Sequence, residues 1–170
     1  MTMNQPNPGS STPSNWTQTS WVIGSDHAGF DTKEFLRSFL QSQGAQVRDM
    51  GCYSPESVDY PQVAHALATA VVENSEGLRG LLLCGSGNGV CISANRIPGA
   101  RAALCWLPEL ASLARSHNNA NILCLPARFV SHEQALVMLE AFAFTPFEGG
   151  RHQRRVAMID PGASPIPPIG

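Results

Sequence analysis

The run Leu81-Leu82-Leu83-Cys84 carries no polar residue at alternate positions and leads directly into Gly85-Ser86-Gly87-Asn88-Gly89. A strand with one face in water alternates apolar and polar side chains, so an unbroken apolar run suits a strand covered on both faces, as in the middle of a parallel sheet. Parallel neighbours need long crossovers, which commits the chain to alternating strands and helices. Glycines at every second position let the following loop take positive φ and aim successive N–H groups at one point beside Cys84. A helix starting near Val90 adds its positive end there. A thiol beside such a cradle suits a bound phosphate, or an oxyanion that forms only during a reaction. Tight strand-to-helix junctions also carry glycine for steric reasons alone, and a strand-end cysteine is often just a small buried side chain. The rest of the chain has to decide between these readings.

A strand-helix alternation runs through the chain. Residues 21–24 read as a first strand, followed by a polar loop through Gly29. In the helix after it, Asp31 and Glu34 have capping-box spacing and Phe35, Leu36, Phe39 and Leu40 share one face. Gly44 stops that helix, and residues 45–50 form a second strand. Asp59-Tyr60-Pro61 opens a second helix with Val63, Leu67 and Val71 inward. A short helix is expected over 90–96, a strand over 101–105, and a helix from Pro108 that turns Leu110, Leu113 and Ala114 toward the core. Residues 122–125 make a fifth strand. Ser131 and Gln134 cap a helix carrying Leu136, Leu139 and Phe142, which ends before Pro146.

The expected fold is a Rossmann-like three-layer α/β/α sandwich on a parallel sheet of about five strands. Residues 1–19, poor in apolar side chains, are expected to be a disordered extension, residues 20–160 the domain, and the proline-rich 161–170 a mobile tail. In such sheets ligands bind at the strands' carboxyl ends, where strand order reverses. Asp26 and His27 follow the first strand, Cys84 ends the third, Trp106 follows the fourth and Arg128 the fifth, while His117 and Asn118 close the helix before the fifth. All of these are expected at one edge.

Composition narrows the partners. A formal net charge of -2 with no long run of Lys or Arg gives no field for nucleic acid or an anionic membrane. Small molecules and other subunits remain. The five cysteines are odd in number and form no C-x-x-C pair, which argues against a disulfide framework or a thiolate zinc site and for a reducing compartment, the cytoplasm. No basic segment followed by an apolar one reads as a leader, and no window has the length of a membrane span.

Three further clusters carry chemistry. Asp26-His27 suits a sugar hydroxyl and an anion, with a helix-entry carboxylate beside a surface histidine as the plainer alternative. His117-Asn118 at a helix end suits a general acid or a cap. Arg151 and Arg155, four apart after Gly149-Gly150, would share a helix face and grip a phosphate monoester; a solvated basic helix end is the plainer alternative.

Together, Gly24-Ser25-Asp26-His27-Ala28-Gly29, Asp59-Tyr60-Pro61, Cys84-Gly85-Ser86-Gly87-Asn88-Gly89, Ser93-Ala94-Asn95-Arg96, His117-Asn118 and Glu148-Gly149-Gly150-Arg151-His152 resemble, in order, the motifs of type B ribose-5-phosphate isomerases in the ribose/galactose-6-phosphate isomerase family. The resemblance implies an aldose-ketose isomerase without metal or cofactor, interconverting ribose 5-phosphate and ribulose 5-phosphate through a cis-enediolate. It implies Cys84 as the base between C2 and C1, and Ser86 with the backbone of Gly85, Gly87, Asn88 and Gly89 at the oxyanion. His117 would assist opening of the furanose ring. Asp26, Tyr60 and Asn118 would contact the sugar, and His27, Arg128, Arg151 and Arg155 the phosphate. It also implies a homodimer, or a tetramer, whose sites draw on both subunits. One branch of the family uses a glutamate just after the loop, where this chain has Val90; Ser86 stands where many cysteine-type relatives have threonine.

Two alternatives stay open. The same chemistry could act on allose 6-phosphate, galactose 6-phosphate or erythrose 4-phosphate, with Trp106 and Leu107 setting the accepted chain length. A non-catalytic sugar-phosphate-binding subunit would keep the fold without the reaction, although the presence of Cys84 counts against it.

Overall fold

A computed structural model describes residues 15–74 and 77–160. Most of the expected N-terminal extension and all of the proline-rich tail lie outside the described residues. The elements are β1 (Ser20–Ser25), α1 (Phe30–Ser42), β2 (Val47–Asp49), α2 (Tyr60–Glu73), β3 (Leu78–Cys84), α3 (Asn88–Ala94), β4 (Ala102–Leu104), α4 (Pro108–Asn118), β5 (Ile122–Pro126), α5 (His132–Phe144) and α6 (Arg151–Val156). Five strands form one sheet in the order β2-β1-β3-β5-β4, every pair parallel, so the expected three-layer architecture is borne out.

The apolar run occupies the middle strand, which explains why it does not alternate. Leu81 and Leu83 join the core under α1, α4 and α5, with Ile23, Leu36, Leu40, Leu123, Leu139 and Phe142. Leu82 and Cys84 join the opposite core under α2 and α3, with Val22, Leu67, Val71, Val90 and Ile122. Leu81, Leu82 and Leu83 are fully buried, each worth about 1.5–3 kcal/mol in removal from water.

Local signals account for most helix ends. Pro61 and Pro108 sit in first turns, where a missing N–H costs nothing. Ser131 and Gln134 form the reciprocal capping box at α5.

Several expectations need correction. The box at Asp31 and Glu34 does not form, because a 3-10 turn over His27–Gly29 precedes α1 and its cap is Asp26, which accepts from the Gly29 N–H at 3.0 Å. Helix α3 begins at Asn88, two residues before the expected start, because Gly87 takes the turn itself at φ 74. Leu113 is 44% exposed, since α4 turns Ala111, Ala114 and Arg115 inward. Residues 15–19 belong to the fold: Trp16 is buried against Trp21, Phe39 and Phe144, in a turn capped by Asn15. No helix among the described residues is long and apolar enough to cross a membrane.

Candidate active site

The chain leaves β1 for β2 on one side and returns to β3 on the other, so strand order reverses between β1 and β3. Crossovers diverge there and leave a crevice over the carboxyl ends. It holds a cavity of about 380 Å³ lined by Asp26, His27, Ala28, Tyr60, Cys84, Gly85, Ser86, Gly89 and Arg128.

Cys84 ends β3 and its Sγ accepts from the Gly87 N–H at 3.1 Å. That contact depends on glycine. A Cβ on Gly87 would run into Leu104 Cδ1 and lie 3.2 Å from the Leu125–Pro126 backbone, at a positive φ that side chains disfavour. The next N–H, of Asn88, donates to Ser86 Oγ at 3.4 Å. The loop thus holds the thiol through one N–H and places Gly85, Ser86 and Gly89 on the wall of the cavity that the thiol faces.

The walls are set by close approach. The Tyr60 ring packs on Gly89, where a Cβ would come within 2.7 Å of it. Arg128 donates its N–H to the Gly85 carbonyl at 3.1 Å and lays its side chain over that residue. Asp26 caps the turn through Oδ1 and also lines the cavity. His27 Nδ1 is buried and has no hydrogen-bond partner among the described residues.

His117 and Asn118 do not lie with Cys84. In a parallel sheet the helix between two strands returns from carboxyl to amino edge, so the end of α4 sits at the amino end of β5, the opposite edge of the molecule. The expected convergence of all polar residues at one edge is therefore wrong within one chain. Arg151 and Arg155, on α6 as expected, belong to the His117 end, where α6 packs on α4. Trp106 also lies outside the crevice and lines a shallow cavity between α4 and α5.

At the second edge, the rings of His117 and His152 stack at 4.2 Å with an interplanar angle of 6°. Their Nε2 atoms lie 3.9 and 3.8 Å from Glu148 Oε2, and the Glu148 N–H is tied to the Ser116 carbonyl at 3.0 Å. Burial, then His117 and Arg151, lower the pKa of His152 below the usual histidine value. Arg151 Nε donates to His152 Nε2 at 3.4 Å, which fits a neutral ring. These three residues are the one group of metal-ligating side chains gathered among the described residues, with ligand atoms within 4.8 Å of one another. The Arg151 guanidinium already donates to the His152 Nε2, so that ligand atom is engaged.

Lys33 was not visible as a functional support in the sequence, where a lysine on an amphipathic helix reads as solvated. It is fully buried, and its Nζ holds Asp49 Oδ2 and the Cys52 carbonyl at 2.7 Å each, tying α1 to the end of β2.

Residues 21–159 match the model of the family described as Ribose/Galactose Isomerase. The chain belongs to that isomerase family. The resemblance read from its six motifs is thereby borne out. Among the relatives of this isomerase chain, ribose-5-phosphate isomerase B of Escherichia coli is 41% identical over 138 residues, covering 81% of this chain and 92% of that protein. A ribose 5-phosphate isomerase from Thermotoga maritima superposes with a TM-score of 0.81 at 49% identity, covering 84% of this chain and 97% of that one. Ribose-5-phosphate isomerase B from Mycoplasma genitalium, solved with bound ribulose 5-phosphate, gives a TM-score of 0.80 at 40% identity over 84% and 95% of the two chains. The family match spans both the thiol crevice and the His117 edge.

Proposed function

We propose that this chain is a ribose-5-phosphate isomerase in which Cys84 carries a proton between C2 and C1 of the open-chain sugar. The observation that carries this reading is a strand-end thiol facing backbone N–H donors in a crevice that also holds Asp26, His27, Tyr60 and Arg128. In the proposed reaction Sγ removes the C2 proton of the aldose, and charge moves onto the oxygens of a cis-enediolate. The loop N–H groups and Ser86 Oγ offset that charge without reorganising, the property that makes fixed donors effective. The same sulfur returns the proton to C1, while the O2 proton is relayed to O1, giving the ketose. His27 and Arg128, both on the cavity wall, suit the phosphate, whose binding energy acts far from the reacting carbons.

The acid for ring opening and the second phosphate grip are assigned to His117, with Asn118, Arg151 and Arg155, supplied by a second copy. One chain separates these groups from its own Cys84 across the sheet, and a two-fold pair can bring the His117 edge of each copy to the crevice of the other.

Isomerisation of ribose 5-phosphate should be measured for the wild type and Cys84→Ala, with allose 6-phosphate and erythrose 4-phosphate alongside. The reading expects preference for the pentose and loss of turnover in the folded variant; turnover of another sugar phosphate alone would move the substrate and leave the chemistry. Co-expressed Cys84→Ala and His117→Ala chains should recover about a quarter of wild-type activity, since half the dimers are mixed and each holds one intact site. A mixture as inactive as its parents would refute the shared site.

A further inference from the structure

A second cavity, of about 410 Å³, opens at the amino edge of the sheet, between the end of α2, the starts of β3 and β4 and the end of α4. Three arginines line it: Arg79, Arg101 and Arg115. None of them pairs with a carboxylate among the described residues. Among the described residues, Asp160 is the one acidic group whose charge reaches the cluster, at Arg101, and its Oδ2 accepts from the Gly99 N–H at 3.2 Å.

The plain explanation for arginines at this edge is carbonyl capping, because helices α2, α4 and α5 all end there. Capping accounts for part of what they do. Arg79 Nη1 donates to the Phe142 carbonyl at 3.1 Å and to that of Ala143. Arg101 uses Nε on the Asn119 carbonyl at 2.9 Å and Nη1 on that of Gly99 at 3.2 Å. Arg115 uses Nη1 on Asn119 Oδ1 at 3.0 Å and on the Ala120 carbonyl. The Nη2 groups of all three donate to no described residue. The Nε of Arg115, a side chain only 9% exposed, is buried with no partner.

We propose that this cavity binds a phosphate, free or as a monoester, through the unspent Nη2 groups of Arg79, Arg101 and Arg115, at a site separate from the Cys84 crevice. Three arginines line one hollow, Arg79 and Arg115 resting on the Phe142 ring at 5.9 and 5.6 Å, and a dianion with several acceptor oxygens can answer all three like charges at once. A monocarboxylate offers too few acceptors. The electrostatics agree: burial and the neighbouring Arg79 and Arg101 depress Arg115 to about 10, and burial also lowers Arg79 and Arg101. All three remain charged near neutrality, and a bound dianion relieves their repulsion.

The test is calorimetric titration of inorganic phosphate into the full chain carrying Arg151→Ala and Arg155→Ala, which removes those two arginines from the proposed catalytic phosphate grip. One phosphate per chain should still bind, with NMR amide shifts at Gly77, Gly99 and Asn119. Adding Arg79→Met should weaken that binding by about tenfold or more. Arg79→Lys, which keeps the charge and stem, should weaken it less and covers the case in which methionine disturbs folding. Absence of phosphate binding in the starting variant, shifts confined to residues 85–89, or an affinity indifferent to both Arg79 substitutions would overturn the proposal.

Discussion

Replacing Gly87 by alanine tests the cradle directly. At φ 74 an L-residue costs about 1–2 kcal/mol more than glycine. The new Cβ also collides with Leu104 Cδ1 and lies 3.2 Å from the Leu125 carbonyl carbon and the Pro126 nitrogen. Leu104 can swing aside, but the backbone of β5 cannot, so overpacking adds about 1–3 kcal/mol. The expected loss of stability is therefore about 2–5 kcal/mol, read from urea unfolding. Relief by moving the loop carries the Gly87 N–H away from Cys84 Sγ, now 3.1 Å distant. The same movement displaces the neighbouring loop donors from the proposed enediolate, and loss of one fixed donor to a developing oxyanion lowers kcat by about 10²–10³. Gly44→Ala supplies the control. It has a similar φ of 80, and its Cβ would meet only the Thr17 methyl at 3.2 Å, at the far end of α1. It should lose about 1–2 kcal/mol and keep its turnover. A folded Gly87→Ala enzyme with kcat within about threefold of wild type would show that the loop donors do not act on the reaction. A stability loss no greater than that of Gly44→Ala would refute the collision term.

Cys84→Ala should fold, since alanine fits the buried strand end, and should lower kcat by about 10²–10⁴, as expected for loss of a proton-transfer group; a coupled spectrophotometric assay reads this. Lys33→Met leaves the Asp49 carboxylate and the Cys52 carbonyl without their buried donor and should cost about 3 kcal/mol in urea unfolding. Trp16→Ala should cost about 3–5 kcal/mol, whereas a residue in a disordered extension would cost nothing. His152 has a pKa below its unfolded value of about 6.5, so the unfolded chain binds the extra proton first. Its contribution is intact above that value and is lost as pH falls through the folded pKa. The wild-type Tm should therefore drop below about pH 6.5 more steeply than that of His152→Gln, and parallel profiles would remove His152 as the cause.

Patterns of short range were legible without coordinates. The unbroken run from Leu81 to Cys84 required cover on both faces, Pro61 and Pro108 marked helix starts, and Ser131 with Gln134 formed the box their spacing implies. These depend on neighbours within a few residues, where backbone geometry leaves little freedom. The glycine loop beside the thiol was equally clear, because only glycine suits a left-handed residue packed against a strand. Where a signal had two local solutions, packing chose between them. Asp26 rather than the Asp31–Glu34 pair caps the entry to α1, and Trp16 joined the core because Phe39 and Phe144, distant in sequence, open a slot for it.

The sequence by itself determined an α/β chain with a cysteine and a donor-rich loop at the end of its central strand, because strand period, helix period and turn chemistry are local. Only the tertiary structure decided the strand order, the burial of Lys33, the gathering of three arginines at the amino edge, and the separation of His117 from Cys84. Each of these depends on which distant segments come to lie side by side. That choice is made by the packing of whole faces, and no window of neighbouring residues contains it.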